Sequence, residues 1–309
     1  MTTTMSPVDP ATPPATPDWL HQRSTGPRRR FVDALATTWM VGAVTLALVP
    51  LVLILGYVVV KGASVVSWSF LSENLPVITQ FPGGGIWPAI AGTVFVTAVA
   101  AAMAVPLGVL AAIYLNEYGR RQPLARVIRF MADVMTGVPS IVMGLFVAMI
   151  WVSSGVHQGY STFAGSLALG CLMLPIVIRS TEEMLKLVPD DLRQASDALG
   201  ARRSRTVARV VIPAALPGIV SGSMLAIARA AGETAPLLFT IFGAQRVLQT
   251  NLLHGNNTTL SFVIWQNAQQ PFAAAQDRAW GAGLTLIALV FLCTMVARFV
   301  SARFSTLAT

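Results

Sequence analysis

Two charges sit inside an apolar run of this chain. Arg229 and Glu233 fall within Ala228-Arg229-Ala230-Ala231-Gly232-Glu233-Thr234-Ala235-Pro236, with mostly apolar residues before and Leu237-Leu238-Phe239-Thr240-Ile241-Phe242 after. Near the middle of a membrane span each charge costs roughly 2.5–3.5 kcal/mol on insertion scales, so a compensating use is expected. Their i,i+4 spacing places both side chains on one helix face, where they can pair. Two uses fit these residue types. One is a self-satisfied ion pair that fixes packing. The other is a gate, in which an incoming oxyanion displaces Glu233 and takes Arg229, because a guanidinium grips two oxygens at once in a way that Lys cannot copy. Thr234 adds a hydroxyl that can coordinate an oxyanion or bond to its own helix backbone. Arg179 lies near the end of another apolar run. It is either a snorkelling anchor or a second cation on the same path, and Glu182 and Glu183 one turn later could neutralise it. Asp133 is expected to pair locally with Arg129, four residues earlier.

Other chemistry is sparse. His21, His157 and His254 all fall outside the apolar runs, so no convergent enzymatic set is expected within them. Cys171 and Cys293 lie in apolar segments without metal-ligand spacing and read as buried, inert thiols. No Gly-x-x-x-x-Gly-Lys-Ser/Thr loop is present, so the chain cannot hydrolyse ATP by that route. No catalytic residue, metal or cofactor is expected in this chain.

The elements that must position these residues are membrane helices. The chain is 54% hydrophobic and 11% charged, against about 25% charged for soluble domains. Its net charge of +8 is read as topology rather than nucleic-acid binding, because no basic stripe alternates with aromatics. Six segments are long and apolar enough to span, at about 35–60, 88–115, 128–152, 162–185, 213–243 and 279–302. The fifth carries Pro213, Pro217, Gly218, Gly222, Gly232 and Pro236, and an interruption is expected there. Trp87, Trp151 and Trp280 are placed at span ends as interfacial anchors. Sixteen basic residues fall on the side of the N-terminal tail, the second-to-third and fourth-to-fifth connections and the C-terminus. Only Lys61, Arg246 and Arg278 fall on the other. That asymmetry predicts both termini in the cytoplasm. Residues 1–34, rich in Thr, Pro and Ser, are expected to form a disordered cytoplasmic tail. Residues 35–304 form the transmembrane domain and 305–309 a second short tail. The first apolar segment is read as an uncleaved span rather than a signal peptide.

Between the fourth and fifth spans, Val188-Pro189-Asp190-Asp191-Leu192-Arg193-Gln194-Ala195-Ser196-Asp197-Ala198-Leu199-Gly200 reads as a short helix over about 189–200, opened by Pro and Asp and stopped by Gly. Leu192, Ala195, Ser196 and Leu199 recur at helical spacing and give it one small, weakly apolar face. That face either receives another protein or folds back on its own bundle.

Here a resemblance enters. Gln194-Ala195-Ser196, Gly200, nine further residues and Val210-Val211-Ile212-Pro213 resemble the EAA loop of the binding-protein-dependent permeases of ABC importers. Gln194 stands where that family has Glu, and Ser196 where it has Ala, so any salt bridge of the family Glu is lost here. Further runs narrow the likeness to phosphate-importer permeases. These are Gly83-Gly84-Gly85-Ile86-Trp87-Pro88, Ala111-Ala112-Ile113-Tyr114-Leu115-Asn116-Glu117-Tyr118, Gly137-Val138-Pro139-Ser140, and Arg179-Ser180-Thr181-Glu182-Glu183-Met184-Leu185. Gly232-Glu233-Thr234-Ala235-Pro236-Leu237-Leu238-Phe239-Thr240 is similar to the PstA type of those permeases. The resemblance covers about 35–304.

It implies an all-α integral membrane protein of MetI-like ABC importer permease fold, multi-pass in a bacterial cell membrane. It implies pairing with a second, PstC-like permease, two ATPase subunits that bind ATP and Mg, and an extracytoplasmic phosphate-binding protein. The helix containing Asp190, Leu192, Gln194, Ala195, Ser196, Leu199 and Gly200 is the expected contact with the ATPase. Arg229, Glu233, Arg179 and Thr234 are the expected path residues. Importers of other oxyanions (phosphonate, sulfate, molybdate) and an ion-coupled secondary transporter are the competing readings.

Overall fold

The computed structural model describes residues 27–119, 122–153, 159–241, 243, 248 and 250–305. Residues 1–26, His157, Phe242, Arg246, the tail residues 306–309 and, among the sixteen basic residues counted on one side, Arg120 and Arg121 lie outside the described residues. Among the described residues the chain is helical. Those of Met1–Gly56 and of Tyr57–Thr309 form two compact units.

Helix α1, Pro27–Ala63, runs through the first unit. It opens at Pro27, not near residue 35, because the proline suits a first helical turn and Arg28-Arg29-Arg30-Phe31 continue it without a breaker. The segment expected to be a tail therefore ends in a helix. From Phe31 to Leu55 the apolar side chains of α1 are exposed, as on a helix solvated by hydrocarbon.

The second unit contains the remaining helices. A short α2 (Trp68–Ser72) precedes α3 (Trp87–Ile113), which ends in a π-helical turn, Tyr114–Tyr118. The third span is not one helix. Helix α4 (Pro123–Gly137) and helix α5 (Ser140–Val147), extended by the π-turn Ala148–Val152, meet at 107°. Val138 at the break is extended, with φ −72 and ψ 127, the conformation that a following proline imposes. The continuous span expected over 128–152 is thus corrected by its own Val138-Pro139 step.

Helix α6 (Thr162–Leu187) leads into α7 (Asp190–Ala198), capped at its end by Gly200 with φ +73. The fifth span starts earlier than hydropathy suggests, as α8 (Arg203–Thr206), the π-turn Val207–Val211 and α9 (Ile212–Ala231). It is interrupted at Gly232-Glu233-Thr234 before α10 (Ala235–Thr240). Helices α11 (Leu260–Ala268) and α12 (Ala273–Ser305) complete the chain. Among the described residues, five helices have the length and apolarity to cross a membrane, and the bent α4–α5 pair makes up to six.

The core forms where α3, α6, α9 and α10 converge, from Val96, Ala100, Ala104, Leu169, Met173, Val177, Ala226, Ala230, Leu237 and Ile241. Small residues allow this closeness. A Cβ on Gly222 of the Gly218-Ile219-Val220-Ser221-Gly222 run would lie 2.5 Å from Ser180 Oγ, so α9 rests directly on α6. Arg278, read above as a topology charge, is buried instead. It donates to Asn267 Oδ1 at 3.1 Å and to the carbonyls of Phe81 at 3.3 Å and Gly83 at 3.0 Å, tying down the loop before α3. Trp87 is exposed at the start of α3, while Trp151 and Trp280 are half-buried and pack on Phe163 and Tyr57. Cys171 is only half-buried and Cys293 is exposed on α12, so the expectation of two buried thiols is corrected.

Candidate functional site

Both broken helices end at one cavity. It encloses about 340 Å³ and is lined by Met135, Thr136, Gly137, Val138, Pro139 and Ser140 from the α4–α5 bend, Leu172, Pro175 and Ile176 from α6, and Arg229 and Glu233 from the α9–α10 break. The two breaks are held in register by a close backbone contact. A Cβ on Gly144 of α5 would lie 2.5 Å from Pro236 Cα in α10.

Arg229 stands in the last turn of α9, and Gly232 caps that helix. Glu233 therefore follows the helix end rather than continuing the same face, which corrects the simple i,i+4 helical picture. The side chains still approach, with Arg229 Nε 3.8 Å from Glu233 Oε1. This is a loose pair. Arg229 is 70% exposed and Glu233 21%, so the guanidinium presents most of its donors to the open side of the cavity. The backbone of the break is fixed separately, since Ser261 Oγ donates to the Glu233 carbonyl at 2.9 Å. Thr234 is half-buried at the start of α10 and is not among the residues that line the cavity.

Arg179 lies one helical turn along α6 from Pro175 and Ile176, and Asp133 one turn along α4 from Thr136 and Gly137. The two side chains form an ion pair just beyond the cavity's lining. Asp133 thus pairs across helices with Arg179, not with Arg129 as expected. Glu182, offered above as the neutraliser of Arg179, pairs instead with Arg129 and Lys186. The side chains of Asp133 and Arg179 are 51% and 38% exposed. Exposed charges on spanning helices are costly against hydrocarbon. An aqueous or protein-covered face therefore suits the side that carries Arg229, Arg179 and Asp133.

Helix α7 contributes no buried residue. Leu192, Gln194, Ala195 and Leu199 are exposed, Leu199 most of all, while Ser196 turns inward and bonds Thr206 Oγ1 at 2.8 Å. Asp190 accepts from Arg193 Nη1 at 3.0 Å. The weakly apolar face of the sequence reading is therefore largely presented outward rather than folded onto the bundle. Sequence reasoning passed over Arg193 and Glu117, which join α7 to the rest of the molecule. Arg193 had counted only toward topology, and no periodicity marks a single inward arginine.

A helical membrane unit with two interrupted spans around a charged cavity, and an outward helix between two of its spans, defines a transport permease. The chain belongs to the family described as binding-protein-dependent transport system inner membrane component, which matches residues 104–306. Within it, the chain is 44% identical over 283 residues to phosphate transport system permease protein PstA 1 of Mycobacterium tuberculosis (strain CDC 1551 / Oshkosh), covering 89% of this chain and 91% of that protein. It is 46% identical to PstA of Mycobacterium leprae (strain TN), over 85% of this chain and 86% of that one. It is 41% identical to PstA of Yersinia pestis, over 89% and 92%. Among solved structures, the fold is similar to the inward-facing MetNI methionine ABC transporter, with TM-score 0.57 and 20% identity over 71% of this chain and 94% of that one. A bacterial ABC transporter involved in alginate import gives TM-score 0.57 and 15% identity over 89% and 99%.

Proposed function

We propose that this chain is the PstA-type permease subunit of an ATP-driven phosphate importer and forms half of its translocation path. The observation that carries this reading is Arg229, a largely exposed guanidinium on the wall of a cavity at two helix breaks, held only loosely by Glu233 at 3.8 Å. A phosphate stripped of water needs donors that follow its oxygens, and a guanidinium supplies them in a planar fork. Glu233 serves as the counter-charge that takes Arg229 when the site is empty. Arg179 is the second cation, reached after a further helical turn. No covalent chemistry is involved, and phosphate crosses by alternating access.

The charged open side of the cavity is covered by a second, PstC-like permease. The exposed α7 docks on one of two ATPase subunits, which bind ATP and Mg, with Leu192, Gln194, Ala195 and Leu199 at the contact. The α7 end and both termini face the cytoplasm of a bacterial cell. An extracytoplasmic phosphate-binding protein delivers substrate from the other side.

Reconstitution into proteoliposomes with the second permease, the ATPase and the binding protein tests this reading. ATP-dependent accumulation of radiolabelled phosphate, unaffected by excess sulfate or molybdate, is expected. Preferential uptake of another oxyanion would replace the substrate, and phosphate movement by the chain alone down an ion gradient would replace the transporter class.

A further inference from the structure

A second set of charges gathers at the α7 end, away from the cavity. Arg193 and Ser196 are the residues of α7 that are not exposed. The Arg193 guanidinium makes four hydrogen bonds. Nη1 donates to the Val188 carbonyl at 2.7 Å and to Asp190 Oδ1 at 3.0 Å, and Nη2 donates to the Leu185 carbonyl at 2.9 Å and to Glu117 Oε1 at 3.0 Å. Arg193 and Glu117 are 14% and 4% exposed, so this pair is screened little by solvent or salt.

The acceptors belong to different elements. The Leu185 and Val188 carbonyls end α6, where a helix leaves its last carbonyls without internal partners. Glu117 lies on the π-turn Tyr114–Tyr118 that ends α3, and Asn116 Nδ2 steadies the same carboxylate oxygen at 2.8 Å. One side chain therefore ties α7 to the ends of two of the helices that build the core. Apart from the chain itself, the other side-chain tie described for α7 is Ser196 to Thr206. An apolar contact slides under load. A planar fork with acceptors in fixed directions does not, and removing either charge leaves the other buried alone.

We infer that Arg193 and Glu117 form a strut that carries movement of α7 into α3 and α6 together, with Glu117 as its positioning residue. This inference rests on the reading of the chain as a permease driven through α7. The strut works inward from α7, so it is separate from whatever α7 touches on an ATPase.

The test uses the reconstituted four-component importer. Glu117→Gln keeps size and removes charge. Phosphate moved per ATP hydrolysed should fall roughly 5- to 150-fold, the usual span of a coupling interaction, while the complex assembles and hydrolyses ATP at close to the wild-type rate. Glu117→Asp, which retains the charge, should recover part of the ratio. A purely structural role would lower yield, hydrolysis and transport together and leave the ratio unchanged, and that result overturns the strut. If Glu117→Gln does not assemble, Arg193→Lys decides, with an unchanged ratio again overturning the inference. Failure of the wild-type complex to move phosphate would count against the proposed function. An unchanged ratio in the variants of an active complex counts against the strut alone.

Discussion

Arg129 Nε lies 2.9 Å from Glu182 Oε1, although 53 residues separate the two in sequence. Glu182 is 1% exposed, and Lys186 Nζ reaches the same oxygen at 2.9 Å. Beside this pair, Arg179 of α6 holds Asp133 of α4. Each of these two helices thus gives the other one cation and one anion. Arg129 also donates to the Leu115 carbonyl at 2.8 Å, within the π-turn that ends α3.

Glu182→Ala is expected to destabilise the permease by about 3 kcal/mol, the lower end for breaking a buried ion pair, because Arg129 retains partial contact with solvent. Glu182→Gln should cost less, since the amide still accepts one of the two donors. The thermal midpoint of the purified complex checks both. A midpoint unchanged in the alanine variant contradicts this account of the α4–α6 contact.

Arg229→Lys should reduce phosphate uptake roughly ten- to hundredfold without loss of assembly, the worth of one charge-assisted hydrogen bond to a bound oxyanion. Lysine preserves the charge but not the fork. Initial rates in proteoliposomes, normalised to complex recovered, supply the measurement. Uptake close to wild type argues that charge alone matters at this position.

Asp133→Asn removes the anion that occupies Arg179. Phosphate should then bind that cation more readily and leave it more slowly, so KM and kcat both decrease, each by about twofold to fivefold, as expected for an exposed pair. Arg179→Gln should instead raise KM. Identical kinetics for wild type and Asp133→Asn would mean that Asp133 does not compete for Arg179.

Gly144→Ala places a methyl 2.5 Å from the Pro236 Cα. Neither backbone can yield cheaply, and overpacking of this kind costs typically 1–3 kcal/mol. Because the contact sets the two helix breaks against each other, uptake should fall along with thermal stability. Retention of both would show that the α5–α10 contact tolerates separation.

Legibility in the sequence followed the range of each interaction. Apolar runs declare themselves over about 20 residues, so the spans and the interrupted fifth helix were readable. Gly200 and the start of α7 were readable as well, because caps are local. Pairings across helices were not. The i,i+4 rule offered Asp133 to Arg129, and tertiary packing gave each residue a partner on α6 instead. The break at Val138-Pro139 was written in the sequence, but the apolarity of the surrounding run masked it. Arg229 and Glu233 were found because charge within an apolar run is rare. Arg193 and Glu117 were missed because each belongs to a stretch where charge is ordinary.

The glycine-lined seam between α6 and α9 bears on what can move. Gly222 rests on Ser180 and Gly218 on the Met184 side chain, and Met173 and Val177 share a core cluster with Ala226 and Ala230, so the two helices meet along a close-packed seam. Arg179 stands on α6 and Arg229 on α9, so the close packing of the seam resists separation of their backbones. The two guanidinium groups then change their spacing more cheaply by side-chain rotation than by moving one helix against the other.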